Sequence, residues 1–127
     1  MDMEYRNKKV PIDERVEDLL SRMTLKEKIG QLNQRLYGWN AYEKTEEGYA
    51  LTEIFRNEVS IWDGMGALYG LFRADPWSGV NFENGIAPLD SPKVANMIQR
   101  HVLENTRLGI PVLISEETPH GHQALDG

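Results

Sequence analysis

The chain has 127 residues, 40% of them hydrophobic and 27% charged, with a net charge of −6 at pH 7. This is ordinary globular composition for one domain or a piece of a larger one, and it excludes a disordered tail, a collagen-like rod and a coiled coil. The acidic balance argues against nucleic acid and anionic membrane surfaces as partners, because both repel a negative protein.

Residues 1–10 are polar and are expected to form an extended arm. Pro11 then suits the start of a helix, with Asp13 and Glu14 near the positive end of its dipole. Ile12, Val16, Leu19, Leu20 and Met23 fall on one apolar stripe of that helix. Thr24-Leu25-Lys26-Glu27 is a capping box, so a second helix starts there, with Leu25, Ile29 and Leu32 as its apolar face. The charged residues between 13 and 28 read as solvated helix faces. Residues 38–50 show no period and read as loop. Residues 51–60 form a short helix with Leu51, Ile54, Phe55 and Val59 inward.

Asp63-Gly64-Met65-Gly66 is turn chemistry, and the apolar run 67–72 after it reads as a buried strand. A long irregular loop covers 73–90. Ser91 as N-cap and Pro92 behind it open a helix that runs to about Arg107, with Val94, Ile98, Val102 and His101 inward. Gly109 ends it, and a strand follows over 111–115. Strand, helix and strand make one β-α-β unit, which demands a parallel pair.

Several motifs have to be weighed. Gly64, Gly66 and Gly70 have the wrong spacing for a dinucleotide loop, and a strand follows where a helix is required. His120 and His122 form a lone H-x-H with no third ligand at fixed spacing, so no metal site is assigned. No cysteine is present, which removes disulfides, thiolate metal sites and a thiol nucleophile. Glu116 and Glu117 are neighbours at a strand's end, so they point to opposite sides and cannot act as a pair. One carboxylate at the C-terminal end of a parallel strand nevertheless lies where α/β barrels build their sites. The loop Arg73-Ala74-Asp75-Pro76-Trp77 opens on the same rim. An aromatic face beside charged hydrogen-bonding groups suits a sugar, and Trp77 packing the loop down is the equal alternative. Trp39, Trp62 and Tyr69 read as packing residues.

The run from Glu14 to Leu32, containing Arg22-Met23-Thr24-Leu25-Lys26-Glu27-Lys28-Ile29-Gly30-Gln31-Leu32, resembles the opening of glycoside hydrolase family three. Arg107-Leu108-Gly109-Ile110-Pro111-Val112-Leu113, followed by Glu117-Thr118-Pro119-His120-Gly121, resembles that family's second barrel strand and the loop after it. The resemblance covers residues 11–127 and implies an α/β fold: a partial (β/α)8 TIM-like barrel, here its first two strands with the preceding and intervening helices. It implies a retaining, exo-acting β-glycosidase, β-glucosidase before β-xylosidase, acting on terminal β-linked sugars. It places Glu117 as a sugar-binding residue of the −1 pocket, where aspartate is common in the family, and gives His120 and Gly121 a loop-shaping role.

The family's nucleophile lies on a later strand and its acid/base in a following domain, so the resemblance puts neither in this chain. A barrel takes about 250 residues, so this chain needs the remainder of its barrel and a C-terminal domain. By itself it is expected to be inactive. The retaining reaction requires no cofactor. The alternative is a non-catalytic truncated relative serving as a carbohydrate-binding or interaction domain. With no apolar leader after Met1 and no run approaching the roughly 18 apolar residues of a membrane span, the expected location is cytoplasmic.

Overall fold

Residues 3–126 are described by a computed structural model. The arm expected to be extended is instead folded down. Glu4–Arg6 form a 3₁₀ turn with Tyr5 buried. The Tyr5 hydroxyl donates to the Leu108 carbonyl at 2.7 Å, and Arg6 Nη2 donates to the same oxygen at 3.0 Å. Asp18 accepts from the Tyr5 N–H at 3.0 Å, and Arg15 Nε donates to the Tyr5 carbonyl at 2.9 Å. Tyr5→Phe is expected to cost about 1 kcal/mol, one net hydrogen bond. Urea unfolding measures it, and an unchanged midpoint would mean the arm is not docked.

Helix α1 (Ile12–Arg22) follows Pro11 as expected, but no residue in it is buried. Ile12 is 73% exposed and Val16 46%, so the apolar stripe is only partly covered. Helix α2 (Leu25–Gln31) begins at the expected capping box: the Thr24 hydroxyl accepts from the Glu27 N–H, and the Glu27 carboxylate accepts from the Thr24 N–H. Glu27 is not on a solvated face. Only 2% of it is exposed, and Arg107 reaches it with Nε at 2.9 Å and Nη2 at 2.5 Å.

The stretch expected to be loop contains a hairpin. Strands β1 (Tyr42–Thr45) and β2 (Gly48–Leu51) pair antiparallel, with Tyr42 opposite Leu51 and Thr45 opposite Gly48. Tyr42 and Leu51 bury themselves in the core, and the rest of β1 is exposed. In β1 only Tyr42 packs into the core, so β1 lacks the alternation that reveals a strand. Helix α3 (Glu53–Trp62) then starts after Thr52, whose hydroxyl accepts from the Phe55 N–H at 3.3 Å. Leu51 belongs to β2 rather than to this helix, and Ile54 faces outward. Phe55 and Val59 are buried as expected.

Strand β3 (Ala67–Tyr69) and strand β4 (Leu113–Ser115) pair in parallel, Ala67 with Leu113 and Tyr69 with Ser115. Both are shorter than expected, although Gly70 N–H continues the ladder by donating to the Ser115 carbonyl at 2.8 Å. Helix α4 (Ser91–Asn105) connects them. Its N-cap is Asp90, one residue before the expected Ser91, with Pro92 in the first turn. Val94, Ile98 and Val102 are buried, and His101 is half-buried against the Phe55 ring.

The core gathers Phe55, Val59, Met65, Leu68, Leu71, Val94, Ile98 and Val102 between α3, the parallel pair and α4. Leu68 and its register partner Ile114 face it. One residue earlier in each strand, the other face carries Ala67 and Leu113, and Leu113 is 72% exposed. Among the described residues the strands form two two-stranded sheets, and neither closes into a barrel. No described helix is long and apolar enough to cross a membrane.

Candidate functional site

β3 and β4 run in the same direction, so the segments after Tyr69 and Ser115 emerge on one rim. At β4's end the two glutamates separate, as their alternation requires. Glu116 Oε1 accepts from the Phe72 N–H at 3.0 Å, and its other oxygen lies 3.6 Å from His122 Nε2. Glu117 Oε2 accepts from the Tyr69 hydroxyl at 2.7 Å, and its side chain is 62% exposed.

The loop after β3 brings Arg73, Asp75 and Trp77 to the same place. Arg73 Nε donates to Asp75 Oδ2 at 2.8 Å, while Nη1 donates to the Tyr69 hydroxyl at 2.6 Å. Nη1 is 3.6 Å from Glu117 Oε2, too long for a hydrogen bond. Asp75 Oδ1 accepts from the Ser78 N–H at 2.8 Å. The guanidinium also lies over the Trp77 ring, 4.7 Å from its centroid, at cation–π distance.

The four residues singled out in sequence therefore form one connected cluster. Their roles differ from a simple set of sugar contacts, however. Asp75 is nearly buried and committed to Arg73 and Ser78. The Arg73 guanidinium, with help from the Ser78 N–H, holds the Asp75 carboxyl down at about 2. The pair thus stays ionised at any neutral or mildly acidic pH. Glu117 is the carboxylate left open.

Tyr37, Trp39 and Tyr69 were missed as site residues. Tyr37 and Trp39 stack at 4.5 Å with an interplanar angle of 6°. Trp77 meets them edge-to-face at 5.4 and 5.1 Å, and Tyr69 lies on their other flank at 6.3 and 6.4 Å. Trp39 sits in a 3₁₀ turn (Gly38–Asn40) that Tyr37 precedes, and no strand or helix period marks the two rings as neighbours. Gly70, at φ +73°, makes room for the quartet, since a Cβ there would lie 2.8 Å from Trp39 Cζ3. Trp77 keeps 60% of its surface exposed and Tyr37 43%. Trp62 stays apart, with its Nε1 donating to Glu58 at 3.1 Å.

His120 is exposed, and Gly121 adopts φ +110° with open space around its α-carbon. The two imidazoles go separate ways, His122 toward Glu116 and the edge of Phe72, and His120 outward. Beside the cluster, Asp75, Pro76, Val80, Phe82 and Leu125 line an open depression of 430 Å³. The rim thus offers aromatic surface beside one open carboxylate, Glu117, an arrangement that can bind a neutral polyhydroxylated ligand.

No protein-family model matches the chain. It is similar to "Beta-glucosidase C" of Emericella nidulans, with 32% identity over 116 residues, which is 91% of this chain and 16% of that protein. It is also similar to a "Putative beta-xylosidase" of Formosa agariphila, with 27% identity over 121 residues, 95% of this chain and 14% of that protein. The chain thus spans about a sixth and a seventh of the length of these two relatives.

Proposed function

We propose that this sequence is part of a β-glycosidase, a retaining and exo-acting enzyme of glycoside hydrolase family three. In this reading residues 11–127 supply the first two strands of a (β/α)8 barrel, with β3 and β4 as those strands. The observation that carries it is similarity to two proteins named as glycosidases along nearly the whole chain. The open carboxylate at the C-terminal end of β4 supports it, because that is where a barrel gathers substrate contacts.

Glu117 then accepts hydrogen bonds from hydroxyls of the terminal sugar, and the aromatic quartet walls that pocket. The nucleophile and the acid/base come from chain beyond this region. No cofactor takes part, since a retaining glycosidase works with two carboxyls alone.

The test is Glu117→Ala in the complete enzyme, assayed on aryl β-glucoside and aryl β-xyloside. A charge-assisted hydrogen bond is worth about 1.5–3 kcal/mol, so kcat/KM should fall about 10- to 100-fold. Unchanged kcat/KM on both substrates would remove Glu117 from the site. The 127-residue chain by itself is expected to release no aryl aglycone from either substrate, and measurable turnover would overturn the assignment of the chemistry to other segments.

A further inference from the structure

We infer that Tyr69 and Arg73 are positioning residues for Glu117: a guanidinium and a phenol in series hold one carboxylate oxygen and leave the other facing outward for a ligand hydroxyl. This rests on the reading of Glu117 as a sugar contact.

The direction of the hydrogen bonds follows from donor and acceptor inventory. A guanidinium has donors only, so the Tyr69 oxygen must accept from Arg73 Nη1 at 2.6 Å. The phenol has one proton, and it is left to go to Glu117 Oε2 at 2.7 Å. Each link has a single sense and cannot be reversed. Arg73 Nη1 lies 3.6 Å from that oxygen, at ion-pair range but too far for a hydrogen bond, so the phenol carries the hydrogen bond.

The upstream end is anchored. Asp75 takes Arg73 Nε and Nη2 on Oδ2, at 2.8 and 2.6 Å. Ser78 N–H fixes Asp75 Oδ1, and the Trp77 ring covers the guanidinium. Arg73 is 15% exposed and Asp75 8%, while Glu117 at the far end is 62% exposed. A series anchored at a nearly buried ion pair thus terminates on a solvent-facing glutamate. Such a terminus adds little to fold stability, since an exposed charge contact is weak. What it does is restrict a three-torsion side chain that would otherwise sample many rotamers. Among the described residues no hydrogen bond reaches Glu117 Oε1, so the held carboxylate presents that oxygen.

The experiment uses the complete enzyme that contains this sequence, labelled with ¹³C at glutamate and tyrosine. Glu117 Cδ and Tyr69 Cζ are followed by NMR through pH titrations, with D-glucose and D-xylose as probes. The expected results are a shifted and broadened Glu117 Cδ signal in Tyr69→Phe and in Arg73→Lys, whose point charge cannot fork between Asp75 and Tyr69. The Tyr69 phenol, held above its ordinary range chiefly by its bond to Glu117, should titrate lower in Glu117→Gln. Apparent affinity for the sugar that shifts Glu117 should fall about 5- to 10-fold in Tyr69→Phe, the loss of one neutral-donor hydrogen bond's worth of order.

A Glu117 Cδ signal indifferent to both substitutions overturns the positioning role. A wild-type chain in which neither sugar perturbs Glu117 overturns the sugar-contact reading instead, and the Cδ response to Tyr69→Phe then still decides the positioning role. Two independent variants keep the outcome readable if one of them fails to fold.

Discussion

Arg107→Ala is expected to lower the unfolding free energy of the chain by about 3 kcal/mol at pH 7. Glu27 is the one charged side chain in the buried set of the described residues, at 2% exposure. Its carboxylate is satisfied by Arg107 on both oxygens and by the N–H and hydroxyl of Thr24. Removing the guanidinium leaves a buried anion without its counter-charge, which typically costs about 3–5 kcal/mol. The low end applies because Thr24 keeps its two donors, and because the Arg107 side chain is 52% exposed, so water enters where it stood.

The pH dependence has a definite sign. The Arg107 bond, the largest cause, pulls the Glu27 carboxyl below its ordinary value of 4.5. Its contribution is therefore present above about pH 4.5 and is lost as pH falls through the folded-state value. In Arg107→Ala the largest lowering cause is gone, so the carboxyl takes up its proton at higher pH than in the wild type. The gap between wild type and variant should close as pH drops from 7 toward 3. Urea unfolding at several pH values measures it, and a gap constant with pH would show that the guanidinium acts by packing rather than charge.

Gly66→Ala should cost at least about 3 kcal/mol, at or beyond the top of the usual overpacking range. A Cβ at Gly66 would overlap the carbonyl oxygen of Gln31, which is backbone and cannot rotate away. Relief requires prying the end of α2 from the start of β3. That separation breaks the bonds from Gly66 N–H to the Gly30 carbonyl and from Ala67 N–H to the Asn33 carbonyl, 3.1 and 3.3 Å long. The displacement also reaches β4, because Leu113 N–H donates to the Gly66 carbonyl at 3.0 Å. Gly79→Ala is the control: its Cβ meets nothing within 4 Å, so only the strain of φ +72° remains, about 1–2 kcal/mol. Comparable losses in the two variants would mean that α2 does not pack on β3 at this point.

What could be read in advance depended on whether a residue's role was local. Thr24 and Glu27 satisfy each other three residues apart, so the start of α2 was legible as a capping box. Val94, Ile98 and Val102 repeat at helical spacing, and all three are buried. The buried state of Glu27 was not legible, because its partner Arg107 lies 80 residues away. The hairpin was hidden for a different reason: Glu43, Lys44 and Thr45 are all exposed, so β1 shows no period of two. The α1 stripe was read correctly as a pattern, yet a pattern does not say whether anything covers it.

In the site, Arg73, Asp75, Trp77 and Glu117 lie together because each follows a strand of the parallel pair. The spending of Asp75 on Arg73 depends on side-chain geometry that spacing cannot reveal. Tyr37 and Trp39 escaped because they precede β3, whereas attention to strand ends looks only after them.

The clasp on Arg107 and Leu108 also bears on the order in which the chain acquires its shape during synthesis. Tyr5 meets Leu108 across 103 residues, and Glu27 meets Arg107 across 80. Translation proceeds at about 5–20 residues per second, so these partners emerge roughly 5–20 seconds after the segments that need them. Until then α2 can already dock on α3 and the start of β3, whereas Tyr5 and Glu27 still lack these partners. The hairpin and α3 close over short loops and can form early. The Tyr5 turn and the Glu27 carboxylate are thus made well before the residues that secure them.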